Sequence, residues 1–143
     1  MVKQRWVGLV LVVVLVGCGK SYPIEQAIEN GDIVTMPSRE NVERFQTFLN
    51  QVDQKGKDSI RITSYTTEGD PVFQDVTYDG KQFSYSLDSS QDEFGNQADD
   101  RDGESCQALK KDQIGETHVY LLTDCAEGEN HPLLEATAAE LGK

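Results

Sequence analysis

The chain predicts an α+β fold: N-terminal helices, then an antiparallel meander of about five strands, with the main helix packed on one sheet face. Three observations predict it. Val42, Phe45, Phe48, Leu49 and Val52 recur at helical spacing and make one apolar stripe. Ile60 and Ile62 alternate with Arg61 and Thr63, the period of a half-buried strand. Asp79-Gly80 is a two-residue turn signal between runs 72–78 and 81–87, both alternating apolar with polar residues. A helix stripe and a sheet face of this kind need each other for burial.

The first element precedes that domain. Lys3 and Arg5 open a leader whose residues from Trp6 to Val16 are almost all apolar. A bilayer-spanning helix takes about 20 apolar residues, so this shorter run has the shape of a signal-peptide core. It ends Leu15-Val16-Gly17-Cys18, a small residue directly before a cysteine, which is the pattern of a lipobox. Residues 1–17 are therefore expected to be a lipoprotein signal peptide and Cys18 the lipidation site, carrying palmitate-type acyl chains. Residues 18–23 then form a tether and residues 24–143 a single domain. Two or three acyl chains give a firm anchor where one gives a marginal one. The expected address is the extracytoplasmic face of the cell membrane, with the lipid as the membrane contact. An uncleaved transmembrane anchor is the competing reading and fits the length less well.

Charge narrows the partners. The 143 residues include 13 basic and 25 acidic side chains, a net −12 at pH 7. Removing the leader takes away Lys3 and Arg5 and no acid, so the mature chain stands at −14. So acidic a domain is repelled by nucleic acid and by anionic headgroups. Nucleic acid is excluded as a partner class, and the domain is held off the surface that its lipid ties it to.

Within the domain, Ile24, Ala27 and Ile28 share a face of a short helix over 24–30, stopped by Gly31. Ile33 and Val34 make a small extended piece. Ser38, after Pro37, is the expected N-cap of the main helix over 39–54, which Gly56 ends. Residues 67–71 form a turn. Closing the first hairpin at Asp79-Gly80 sets Val76 opposite Phe83, Gln74 opposite Tyr85 and Val72 opposite Leu87. Residues 88–105, polar and dense in carboxylates, are expected to be a long exposed loop. A second turn at Gly115-Glu116 sets Leu109 opposite Leu122, Ala108 opposite Thr123 and Cys106 opposite Cys125. Residues 132–141 read as a short helix or a frayed tail.

With Cys18 assigned to the lipid, Cys106 and Cys125 are an even pair in an exported domain, and a structural disulfide is the favoured reading. Closing that loop contributes on the order of 3 kcal/mol in the chain-entropy model. A redox pair or half of a metal site are the alternatives. Against them, there is no C-x-x-C spacing, and His118 and His131 form no recognisable ligand set with the cysteines.

Three blocks carry a family resemblance: Glu29-Asn30-Gly31-Asp32, the run from Ile60-Arg61-Ile62-Thr63 through Thr67-Glu68-Gly69-Asp70-Pro71, and Tyr78-Asp79-Gly80-Lys81. They are similar to a family of small bacillar lipoproteins classed as a domain of unknown function (family 4362), over roughly residues 24–125. The resemblance implies a Gram-positive membrane lipoprotein. It brings no activity, substrate or catalytic residue.

The acidic run offers one chemistry. Asp92, Asp100, Asp102 and Glu104 are oxygen ligands of the kind Ca²⁺ takes. An EF-hand register fails, because aligning Gly103 with the invariant glycine puts Ala98 at the first ligand position and Leu109 at the bidentate glutamate. A solvated loop is the simpler reading; no cofactor is assigned, and Ca²⁺ is the single candidate. Tyr65, Glu68 and Asp70 gather at the 67–71 turn. Tyr65 and Tyr120 remain for a partner-facing patch once Tyr78 and Tyr85 are placed in the core. No catalytic residue emerges: no serine sits in a G-x-S-x-G elbow, and His118 has no nucleophile at its side. The sequence favours a non-enzymatic, lipid-anchored binding module with an envelope protein as partner. The alternatives are a divalent-cation-responsive module using residues 88–104, or a hydrolase of unrecognised type.

Overall fold

The structure, a computed structural model, describes residues 22–95 and 97–142. The expected leader, Cys18 and most of the tether lie outside the described residues. Two helices, α1 (Ile24–Asn30) and α2 (Glu43–Asp53), accompany seven strands: β1 (Ile33–Met36), β2 (Asp58–Tyr65), β3 (Pro71–Tyr78), β4 (Phe83–Asp88), β5 (Arg101–Ile114), β6 (Thr117–Cys125) and β7 (His131–Thr137). The strands neighbour one another in chain order, β1 parallel to β2 and every later pair antiparallel.

This corrects the expected α+β layer. About 48% of the described residues are strand, and seven strands, not five, curl into a nearly closed, barrel-like sheet with two short helices. The main helix does not cover a flat sheet; it plugs the concave side of a curved one. Phe45 and Phe48 are fully buried, and strand residues from Ile33 of β1 to Ala136 of β7 join them in one core. Phe45 meets Tyr120 of β6 edge-on at 4.9 Å and Phe48 lies 6.5 Å from Phe83 of β4. A helix of eleven residues has too little apolar surface to cover seven strands by itself. Curling lets the inner faces bury against the helix and each other. The two margins of the sheet come close enough for Arg39, just past β1, to donate to Glu135 O of β7 at 2.6 Å and to pair with Glu140 at 2.6 Å.

Four boundaries differ from expectation for identifiable reasons. α2 begins at Glu43, and Ser38 does not cap it, because residues 37–41 fold back on β1. Val34 and Glu40 exchange backbone hydrogen bonds of 3.0 and 3.1 Å. Asn41, at a left-handed φ of 54°, donates its amide to Ile28 O and Asp32 O. Strand-edge pairing and this amide bridge take the residues that helix propensity alone would have used. The loop after β4 is shorter than expected, since β5 starts at Arg101. The C-terminal stretch is neither helix nor tail: β7 pairs with β6, setting Leu134 opposite Tyr120. The first hairpin is displaced by two residues, with Val76 opposite Tyr85 and Tyr78 opposite Phe83. Asp79 Oδ1 accepts the N–H groups of Lys81 and Gln82 at 2.8 and 2.9 Å, which makes the connection four residues long. A slip of two keeps every side chain on its face, so the expected core face survives.

The second hairpin pairs as read from the sequence: Leu109 with Leu122, Ala108 with Thr123, and Cys106 with Cys125, whose sulfurs are bonded. α1 also forms where expected and ends at Gly31, φ 84°. It covers the outer face of β1 and β2, with Ala27 packed against Val34 and Tyr65. Beneath it Asp32, 5% exposed, accepts hydrogen bonds from Tyr22 Oη (2.8 Å) and Thr63 Oγ1 (2.7 Å).

Candidate functional site

Two places in the fold gather side chains that can do something. The first is an open apolar groove of about 450 Å³ where the start of α1, the end of β1 and the β2–β3 turn meet. Pro23, Ile24, Met36, Pro37 and Tyr65 make its apolar surface, and Glu25, Thr66, Thr67 and Gly69 complete the rim. Local chemistry builds it. β2 runs out at Tyr65, and the turn closes through Thr66 N–H to Asp70 O at 2.9 Å, with Gly69 at φ +94°. β1 ends at Met36 because Pro37 cannot donate to a ladder, and the Met36 side chain is left in solvent, 57% exposed. Tyr65 is the floor: the residue is 6% exposed and its hydroxyl donates to Tyr22 O at 3.0 Å. Burial pushes the Tyr65 phenol up from its ordinary value.

The expected binding residues divide accordingly. Glu68 stands exposed on the turn, its carboxyl held below the usual range by the Thr67 hydroxyl at 2.9 Å. Asp70 accepts the Glu93 N–H at 3.4 Å, which ties the turn to the acidic loop. Tyr120, expected to face a partner, is instead 2% exposed and packed on Phe45. Tyr120 lies two residues before the fully buried Leu122 on β6, so strand alternation puts both on the inner face.

The four candidate cation ligands are not one shell. Asp92 accepts the Phe94 N–H at 3.1 Å. Asp100 accepts the Ser89 N–H at 3.0 Å and the Ser89 hydroxyl. Asp102 lines a cleft of about 430 Å³ with Asp75, Asp88 and Asp100, beside Arg101, and Asp75 is already held by a two-bond contact from Arg61. Glu104 points into the protein. His118 stacks edge-on to Tyr120 at 6.5 Å, and its Nδ1 has no hydrogen-bond partner among the described residues.

The second place is the one that sequence reasoning missed. Glu104 Oε2 lies 2.7 Å from His131 Nε2, and both residues are buried. Glu104 Oε1 accepts the Glu127 N–H at 2.8 Å. Burial works to raise the Glu104 pKa, but that N–H, the His131 contact and the Arg101 charge outweigh it and hold the carboxyl below its usual range. Arg101 is shared among Glu104, Glu127 and Glu129 at 3.8, 3.0 and 3.0 Å. The Tyr85 ring stacks on the imidazole at 4.2 Å, and burial pushes its phenol up to about 12. The Cys106–Cys125 bond adjoins the same histidine. The missed signal was period two: once β5 starts at Arg101, Glu104 and Cys106 alternate onto the same inner face. His131, paired with Leu122, then enters from β7.

Comparison with known proteins gives one match. The model of a family described as a domain of unknown function (DUF4362) matches residues 30–121, more than half of the chain. No curated protein and no solved structure matches.

Proposed function

We propose, for a chain that belongs to the DUF4362 family, the role of a lipid-anchored, non-enzymatic binding module on the extracytoplasmic face of the membrane. The observation that carries the reading is the groove floored by Tyr65, an open apolar surface on an otherwise strongly acidic domain. Concave apolar surface rimmed by polar groups is the usual form of a recognition site. The Leu15-Val16-Gly17-Cys18 pattern supports the anchor. No described helix is long and apolar enough to cross a membrane. The occupant that fits is an apolar segment of an envelope protein flanked by basic residues, since Glu25 lines the groove and Glu68 stands on its bordering turn.

A photo-crosslinking amino acid at Met36, in intact cells, tests this. The expected adduct is one envelope protein, mapped to an apolar stretch with Lys or Arg at its flank, and lost when Ile24→Glu is added. A surface on which Met36 captures nothing, or captures the same species after Ile24→Glu, would sink the proposal. Mass analysis of the membrane fraction tests the anchor separately: Cys18 must be acylated at a new N-terminus.

A further inference from the structure

The bonded pair Cys106 and Cys125 has a third ligand-type neighbour. A ring nitrogen of His131 and both Sγ atoms lie within 4.8 Å of one another, and all three residues are buried. We propose that reduction of this disulfide converts the three side chains into a zinc site, with the Glu104 carboxylate orienting the histidine. The proposal is independent of the groove.

Four features point to a metal rather than to packing alone. The donor set is two thiolates and an imidazole, the ligands Zn²⁺ prefers and Ca²⁺ does not. Zn–S of about 2.3 Å and Zn–N of about 2.0 Å place tetrahedral ligand atoms roughly 3.5 Å apart, a separation that three atoms within 4.8 Å reach by side-chain rotation. The cysteines are directly opposed on β5 and β6, with Cα atoms 3.9 Å apart, so the hairpin keeps the sulfurs together when their bond opens. Glu104 Oε2 lies 2.7 Å from His131 Nε2 while its Oε1 accepts the Glu127 N–H, so a carboxyl fixed at both oxygens grips one ring nitrogen of the histidine. That carboxylate–histidine pairing fixes the tautomer and orientation of a metal-ligating imidazole, and Tyr85 stacked on the ring restricts its rotation.

The chemistry balances with a dithiol as reductant. Its two thiols close to a disulfide, while the Cys106–Cys125 bond opens and each sulfur gains a proton. Zn²⁺ binding then releases both thiol protons to solvent. The oxidised chain has no thiolate to offer and does not bind.

The test uses the full chain carrying Cys18→Ser in detergent, so that Cys106 and Cys125 are its only thiols. Reduced protein titrated with Co²⁺ should show a thiolate-to-cobalt charge-transfer band and intense visible bands of a tetrahedral ion, saturating at one ion per chain and erased by Zn²⁺. Oxidised protein should show neither. Glu104→Gln should weaken binding about 10-fold and His131→Gln about 100-fold, with circular dichroism confirming that both variants are folded. Should reduction alone unfold the chain, Zn²⁺ must restore the folded spectrum. Absence of the charge-transfer band, identical affinity in His131→Gln, or a reduced chain that Zn²⁺ leaves unfolded would each overturn the proposal.

Discussion

Reducing the Cys106–Cys125 bond perturbs the unfolded chain more than the native one, and its cost can be worked from the structure. The two residues are 19 apart in sequence. In the chain-entropy model, releasing a loop of that length returns about 11 cal/mol/K to the denatured ensemble, about 3 kcal/mol at 25 °C. The native side changes little. Both cysteines are buried, and the β5–β6 ladder runs on from Cys106 to Ile114, giving the strands hydrogen bonds that do not depend on the sulfur link. The assay is equilibrium urea unfolding of the Cys18→Ser chain, followed by far-ultraviolet circular dichroism, with and without reductant. A chelator is present throughout so that no metal takes the place of the bond. At a slope of about 1.5 kcal/mol per molar urea, the midpoint should fall by about 2 M. A fall of less than about 0.5 M would refute the reasoning. It would mean that the hairpin already holds the loop closed in the denatured chain, leaving the bond no entropy to remove.

Three further outcomes follow from single contacts. Phe45→Ala empties the centre of the core at a fully buried residue packed on Tyr120 and Phe48, and should cost about 3–5 kcal/mol in urea unfolding, whereas Thr47→Ala on the exposed face of α2 should stay within about 0.5 kcal/mol; equal effects would contradict a helix inside the sheet. Thr63→Val removes one of two donors to the buried Asp32 carboxylate and should cost about 1–3 kcal/mol at neutral pH, read by thermal melting. Glu104 has a folded pKa held below its ordinary value of 4.5, so its contribution is present above that value and disappears as pH falls through the folded one. The stability gap between wild type and Glu104→Gln should therefore be full well above pH 4.5 and shrink progressively as the pH falls below it; a gap that does not change with pH would show that the charge is not its source.

Local pattern and turn chemistry were readable. The Val42–Val52 stripe forms its helix, Gly31 ends α1, and the Gly115-Glu116 turn sets the cysteines opposite each other. What local pattern does not carry is curvature. Nothing in the alternation of 72–78 or 81–87 says that the sheet bends around Phe45 and Phe48, because closure is decided by how seven strands share one small core. Two errors share that origin. Residues 132–141 read as a short helix or a frayed tail only if β6 has no open edge beside them. Residues 37–41 read as the start of α2 only if β1 needs no partner. His131 and Glu104 were invisible as a pair for the same reason: 27 residues separate them in sequence, and only the β4–β5–β6–β7 pairing brings them together. The groove was half legible, since the 67–71 turn is strong local chemistry, but its other wall comes from Pro23, Ile24 and Met36.

The meeting of the sheet's margins at Arg39 bears on life at high density. The anchored module proposed above would diffuse in a plane, where copies collide often and in similar orientations. Under those conditions a strand with unpaired amides would recruit its neighbour's and seed a growing ribbon. Here the segment returning through Glu40 occupies the outside of β1, and one guanidinium reaches across to the last strand. In that proposed module, the small seam would leave less free strand edge for a second copy to pair with.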